Sequence, residues 1–207
     1  YWRPSDGKWY IKTGEAAATP TPVAWGSDAA GDIPVVGDFD GDDKTDLSVF
    51  RASTGDWWVS KSNGGTLTKS WGTTGDIPVP ADYDGDGITD IAIWRPSTGV
   101  WWVLTSDSNF VDYTTTQWGI YSDQPFPLDY DGDGEADLGI WRPTEGAWYI
   151  KKSAGGSSAV AFGTPSDFAI PSAFVKQTGF QVDPNKMGEA RLSRRNATGD
   201  TDLYSQN

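Results

Sequence analysis

The 207-residue chain has no cysteine, no histidine and a single methionine. Without cysteine there are no disulfides, and redox chemistry gives no clue to compartment. Cysteine and histidine together supply most enzymatic nucleophiles and general bases, so their absence argues against an enzyme, and no catalytic residue is assigned. Basic charge is scarce: 16 Lys and Arg face 29 Asp and Glu, for a net charge of −13. No basic stripe exists to neutralise phosphates, which excludes nucleic acid as an expected partner. No apolar run approaches membrane-spanning length, so membrane insertion is not expected either. Helical periodicity is almost missing. The chain opens on Tyr1-Trp2-Arg3 without a signal peptide, and this opening reads as the middle of a repeat, which leaves room for an export signal upstream.

Aspartate is abundant, and it is ordered. One nonapeptide occurs three times, as Asp38-Phe-Asp40-Gly-Asp42-Asp-Lys-Thr-Asp46, Asp82-Tyr-Asp84-Gly-Asp86-Gly-Ile-Thr-Asp90 and Asp129-Tyr-Asp131-Gly-Asp133-Gly-Glu-Ala-Asp137. Carboxylates at positions 1, 3, 5 and 9 of so short a loop repel one another unless a cation lies between them. Hard oxygen donors at that density call for Ca²⁺, in three sites. These twelve carboxylates nearly account for the charge imbalance. Three bound ions would leave a net charge of about −7. An EF-hand or dockerin loop needs an acidic ligand at position 12 and flanking helices, whereas position 12 here is Val49, Ile93 or Ile140 on an alternating strand. Weak loops of this kind suit millimolar calcium and therefore an extracellular location.

The nonapeptide sits inside a longer repeat. Phe50-Arg-Ala-Ser-Thr-Gly-Asp-Trp-Trp-Val59, Trp94-Arg-Pro-Ser-Thr-Gly-Val-Trp-Trp-Val103 and Trp141-Arg-Pro-Thr-Glu-Gly-Ala-Trp-Tyr-Ile150 align with Trp2 to Ile11, and a worn copy surrounds Arg195. The aligned Arg3, Arg51, Arg95, Arg142 and Arg195 are 48, 44, 47 and 53 residues apart. That period belongs to propeller blades. Each period reads as a strand opening on Ile-Pro or its equivalent, the acidic loop, an alternating strand, a Gly turn, an aromatic strand, and a fourth strand ending in Trp25-Gly26, Trp71-Gly72, Trp118-Gly119 or Phe162-Gly163. The expected architecture is all-β: a single propeller domain of four-stranded blades over 1–207. Its five repeats fall near 1–31, 32–75, 76–122, 123–166 and 167–207, and the first and last are incomplete.

Trp9, Trp57, Trp58, Trp101, Trp102 and Trp148 recur at equivalent positions, as packing between wedge-shaped sheets requires. Adjacent Trp residues point to opposite faces, which leaves one of each pair less buried and able to stack on a sugar. The recurring Arg is expected either to latch onto a carboxylate of the adjacent blade or to line shallow pockets beside Trp. The incomplete ends are expected to close a ring, to mark truncation from a larger propeller, or to exchange strands with neighbouring molecules.

The order Trp-Gly, Ile-Pro strand, Asp-x-Asp-Gly-Asp-Gly-x-x-Asp, alternating strand, Pro-containing turn and aromatic strand resembles the FG-GAP/VCBS repeat of integrin-α-like, calcium-binding β-propellers. The Gly-Ala that precedes the family's proline is missing beside Pro96 and Pro143. The resemblance implies that Asp38, Asp40, Asp42 and Asp46 bind one Ca²⁺ with the backbone carbonyl of Lys44. It implies Asp82, Asp84, Asp86 and Asp90 with the carbonyl of Ile88 for the second, and Asp129, Asp131, Asp133 and Asp137 with that of Glu135 for the third. Asp43 stands where the other loops have Gly87 and Gly134, a position that needs positive φ.

The leading expectation is a secreted, calcium-stabilised propeller for recognition or adhesion, lectin-like or protein-binding, with carbohydrate or an extracellular protein as ligand. One alternative is a module that self-assembles through its incomplete end blades. Another is an enzyme of the polysaccharide lyase kind, as some related propellers are. The ligand-binding residues themselves are not identifiable from sequence.

Overall fold

The computed structural model describes residues 1–11, 22–167, 169, 194–195 and 201–202. The chain divides into two compact units, Tyr1–Ser172 and Ala173–Asn207. Most of the expected fifth repeat lies outside the described residues. In the second unit the described elements are β16 (Arg194–Arg195) and β17 (Thr201–Asp202), an antiparallel pair.

The first unit is a succession of antiparallel sheets in chain order. The first sheet has three strands, β1 (Trp2–Arg3), β2 (Lys8–Trp9) and β3 (Val23–Ala24). Among the described residues it has no opening strand and no acidic loop. Three four-stranded sheets follow. The second holds β4 (Asp32–Gly37), β5 (Asp46–Arg51), β6 (Asp56–Ser60) and β7 (Thr66–Ser70). The third holds β8 (Ile77–Pro78), β9 (Ile91–Arg95), β10 (Val100–Leu104) and β11 (Tyr113–Gln117). The fourth holds β12 (Gln124–Pro125), β13 (Leu138–Arg142), β14 (Ala147–Lys151) and β15 (Ser157–Ala161). Consecutive strands pair within each sheet, so each acidic loop is the turn between a sheet's first and second strands.

The strands differ in character because their neighbours differ. Residues 91–94 of β9, Ile-Ala-Ile-Trp, are buried on both faces, since both faces of this sheet pack on other sheets. The outer strand β11, Tyr-Thr-Thr-Thr-Gln, is mostly exposed and correspondingly polar. The opening strand is six residues long in the second sheet but two in the third and fourth. Pro80 and Pro127 stand where the second sheet has Val36, but their nitrogens face away from the second strand, and hydrogen bonds continue on either side: Val79 and Phe126 donate their N–H to the Ala92 and Gly139 carbonyls at 2.8 and 2.7 Å. Pairing continues as single bridges, Ala81 with Asp90 and Leu128 with Asp137.

Sheets pack through their apolar faces. Val35, Phe39, Phe50, Trp57 and Val59 of the second sheet cluster with Ile91, Ile93, Leu104 and Phe110 of the third. On the other face of the third sheet, Val79, Ala92, Trp94, Trp101 and Val103 meet Ile140 of the fourth. Of the adjacent aromatic pairs, Trp57 and Trp101 are fully buried, while Trp58 and Trp102 are half-buried on the opposite face.

The indole N–H groups join these sheets in series. Trp57 Nε1 donates to the Trp71 carbonyl of its own sheet at 2.8 Å, and Trp101 to that of Trp118 at 2.8 Å. Trp71 in turn reaches forward to the Trp102 carbonyl in the next sheet at 3.3 Å, and Trp118 to that of Tyr149 at 3.4 Å. Trp25 makes the same forward bond to the Trp58 carbonyl at 3.1 Å. The Trp of each Trp-Gly pair is thus a fastener between sheets.

Candidate metal centre

Each acidic loop is folded by its own first aspartate. Asp38 Oδ1 accepts the Gly41 N–H at 2.7 Å, and Oδ2 accepts that of Asp43 at 2.7 Å. Asp82 takes the N–H groups of Gly85 and Gly87 at 2.7 and 2.8 Å, and Asp129 those of Gly132 and Gly134 at 2.6 and 3.0 Å. The sixth loop position is left-handed throughout, with φ of 62° at Asp43, 85° at Gly87 and 98° at Gly134. Asp43 adopts the conformation that glycine adopts more easily in the other two loops.

Position 5 is held from its other side. Asp42, Asp86 and Asp133 accept the N–H of Lys44, Ile88 and Glu135 at 3.0, 2.7 and 3.0 Å. Each also accepts a serine hydroxyl twenty residues on: Ser62 at 2.6 Å, Ser106 at 3.0 Å and Ser153 at 2.7 Å. The Ser62 hydroxyl, then Lys44, holds the Asp42 carboxyl below its ordinary pKa. The backbone N–H of Glu135, then Ser153, does the same for Asp133.

The same serines also brace position 9. Asp46, Asp90 and Asp137 are fully buried. Each accepts the N–H of the serine at 2.7–2.8 Å and the N–H of its loop's second residue, Phe39, Tyr83 or Tyr130, at 2.8–3.0 Å. Sequence reasoning missed Ser62, Ser106 and Ser153. Their signal was available, since all three follow the aromatic strand at one spacing.

Position 3 is different. Both carboxylate oxygens of Asp40 and Oδ2 of Asp84 are buried with no hydrogen-bond partner. Burial first, then the charges of Asp46, Asp42 and Asp38, raises the Asp40 carboxyl above its ordinary pKa. Burial and then the Asp90 charge push Asp84 up to about 6. The third loop relieves Asp131 with Lys152, 3.3 Å away.

Ligand atoms of Asp38, Asp40 and Asp42 lie within 4.8 Å of one another, as do those of Asp82, Asp84 and Asp86 and those of Asp129, Asp131 and Asp137. The first two groups leave out Asp46 and Asp90, and the third leaves out Asp133. Each loop therefore gathers three of its four carboxylates to that spacing. Three carboxylates so close, joined in the first two loops by buried oxygens aimed at no donor, fit a hard divalent cation, and the all-oxygen set is compatible with calcium. A cation there would offset both the burial and the like-charge repulsion that raise Asp40 and Asp84.

The three loops are also joined to one another. Thr89 in the second loop donates its N–H to the Asp38 carbonyl at 2.6 Å, and its hydroxyl accepts the Asp38 N–H at 3.0 Å. Ala136 in the third loop donates to the Asp82 carbonyl at 2.7 Å. A Cβ on Gly37 would lie 2.6 Å from the Thr89 methyl, so only glycine lets these two loops meet.

The opposite end of each sheet carries a second constellation. Arg51, Arg95 and Arg142 form two-pronged pairs with Asp32, Asp76 and Asp123, with Nε to Oδ1 distances of 2.6, 2.8 and 2.8 Å. Those aspartates also accept the N–H of Ser27, Thr73 and Ile120 at 2.8 Å each, tying down the chain just after each Trp-Gly pair. The latch lies within one sheet, where the sequence suggested an adjacent blade. Asp32 and Arg51 are direct cross-strand partners on β4 and β5, so the nearest carboxylate belongs to the same ladder. Each guanidinium also stacks on a half-buried ring: Arg51 on Trp58 at 4.3 Å, Arg95 on Trp102 at 5.3 Å and Arg142 on Tyr149 at 4.5 Å. The latch and the place beside an aromatic ring, posed as alternatives, are combined in one side chain.

Repeated four-stranded antiparallel sheets packed face to face, with an acidic loop at the same corner of each, define an all-β, propeller-like repeat protein. The FG-GAP-like repeat family matches residues 82–140, from the second acidic loop to Ile140 of β13. No curated protein and no solved structure matches the chain.

Proposed function

We propose that this chain is a secreted, calcium-stabilised β-propeller of the integrin-α-like kind that serves recognition or adhesion. The observation that carries the reading is the buried, unpartnered carboxylate at the centre of the first two loops, Asp40 and Asp84. Three Ca²⁺ ions would be held by Asp38, Asp40, Asp42 and Asp46, by Asp82, Asp84, Asp86 and Asp90, and by Asp129, Asp131, Asp133 and Asp137. The carbonyls of Lys44, Ile88 and Glu135 would complete the three sets. A bound ion supplies charge neutralisation at the turn between the first and second strands, and the serines and the inter-loop hydrogen bonds hold the carboxylates in place for it.

A binding role is favoured over catalysis. An ion held by four carboxylates and a carbonyl keeps little coordination free for a substrate. Half-buried aromatic rings beside arginine, repeated from sheet to sheet, suit a carbohydrate or extracellular protein ligand. The calcium loops belong to the millimolar class, which supports an extracellular setting. Among the described residues no helix is long and apolar enough to cross a membrane.

The test is a binding panel of immobilised glycans and extracellular matrix proteins, run in millimolar calcium and again in EGTA. The reading expects at least one saturable partner in calcium, weakened or lost in chelator. A chain that binds nothing on the panel contradicts it.

A further inference from the structure

Among the three complete sheets, the groove between the second and third is where one connection departs from the repeat. The connection from β10 to β11 runs over residues 105–112, whereas the equivalent connections cover only 61–65 and 152–156. Asn109 and Phe110 in this longer loop both have φ of 58°, a left-handed conformation that costs a bulky side chain energy. The strain is held by contacts to the neighbouring sheet. Phe110 is buried in the shared core, and Lys69 Nζ on β7 donates to the Phe110 carbonyl at 2.9 Å.

The loop delivers Tyr113 to the start of β11, where β7 and β15 begin with Thr66 and Ser157. The phenol ring stands 5.1 Å from Trp71 and 6.0 Å from Trp102, nearly parallel to the latter at 29°. Packing of the repeat accounts for the two tryptophans but not for Tyr113, which is 56% exposed. With Gly72, Ile93 and Arg95 these rings line a cavity of about 230 Å³. That is below the roughly 300–1,000 Å³ of sites for drug-sized ligands, so it suits a single ring.

The polar chemistry narrows the ligand. Arg95 spends Nε and Nη2 on Asp76, which leaves Nη1 without a protein partner among the described residues. The pair is electrically neutral, so it offers a hydrogen-bond donor rather than a net charge. An anionic ligand gains little from a guanidinium already paired and meets the field of a chain with net charge −13. A cationic ligand meets the guanidinium already stacked on Trp102. A molecule with one apolar face, several hydroxyl acceptors and no charge fits both constraints.

We propose that this groove binds a neutral pyranose, its apolar face against the Trp71, Trp102 and Tyr113 rings and a hydroxyl accepting from Arg95 Nη1. The assignment rests on the recognition reading above and gives it a location. It is tested by titrating the full chain in millimolar calcium with methyl glycosides of neutral hexoses and with a methyl uronate, following tryptophan fluorescence. Saturable binding of at least one neutral hexoside is expected, weakened tenfold or more in Tyr113→Thr, retained in Tyr113→Phe, and unchanged in Tyr121→Thr, which removes an exposed tyrosine elsewhere. Thermal melts show that the variants are folded.

Tighter binding of the uronate overturns the neutral-sugar assignment, as does wild-type affinity in Tyr113→Thr. A wild type that binds a glycan or protein on the panel while Tyr113→Thr binds it equally well overturns the groove and leaves the recognition reading standing. A wild type with no partner at all overturns both.

Discussion

Each complete sheet buries aspartate at both of its ends, and the two ends handle the charge in opposite ways. At the Trp-Gly end, Asp32, Asp76 and Asp123 are buried, and each is neutralised within the chain by a two-pronged arginine and a backbone N–H. At the loop end, Asp40 and Asp84 bring buried oxygens into a cluster of like charges with no donor to receive them. A buried carboxylate without a partner is costly, and a polypeptide that retains one at equivalent positions has left a place for an ion.

The widest separation between the two ends comes from removing calcium. A site held at about a hundred times its Kd adds about 2.7 kcal/mol. Three such sites, at about 2–4 °C per kcal/mol for a chain of this size, place the chelated melting midpoint roughly 15–30 °C below the calcium-saturated one. Scanning calorimetry in calcium and in EGTA reads this directly.

Arg95→Ala attacks the other end. It strands the buried Asp76 carboxylate and is expected to cost about 3 kcal/mol, the lower part of the range for breaking such a pair because the arginine is partly exposed. The loss is expected to be equal in calcium and in chelator. A loss that vanished in calcium would mean that the two ends are not independent.

Asp84→Asn sharpens the comparison by giving opposite signs. In calcium it is expected to remove about 2 kcal/mol, most of one site's contribution. In EGTA it is expected to be neutral or stabilising, because it deletes a buried charge that the repeat leaves unpaired. Denaturant titration in both buffers checks the sign.

The smallest expected effect is Ser106→Ala. It removes the hydroxyl bond to Asp86 but keeps the backbone N–H to Asp90, for about 1 kcal/mol in calcium by the same titration.

The repeat made most of the scaffold legible. The phase of the nonapeptide places every acidic loop between a first and a second strand, and the Trp-Gly pairs fall within two residues of the ends of β7 and β11, as Phe162-Gly163 does for β15. Alternation along Trp57-Trp58 and Trp101-Trp102 assigned one ring of each pair to the core, because a strand leaves adjacent side chains no other choice.

What escaped were relations between elements. Asp32 and Arg51 lie nineteen residues apart, and only the register of β4 on β5 makes them partners. Ser62, Ser106 and Ser153 look like ordinary turn residues until the β6–β7 turn and its counterparts are folded back over the acidic loops. The bonds from Thr89 and Ala136 to the preceding loop depend on how sheets stack, which no single repeat encodes. The longer 105–112 loop was visible as a 47-residue spacing against 44, but its reason became apparent only with Tyr113 beside Trp71 and Trp102.

The central claim is that the loop ends are completed by calcium, and counting the ions tests it most directly. Isothermal titration of metal-stripped protein with Ca²⁺ is expected to give three ions per chain for the wild type and two for Asp84→Asn. A wild type that binds no calcium, or an Asp84→Asn variant that binds as many ions as the wild type, contradicts the account.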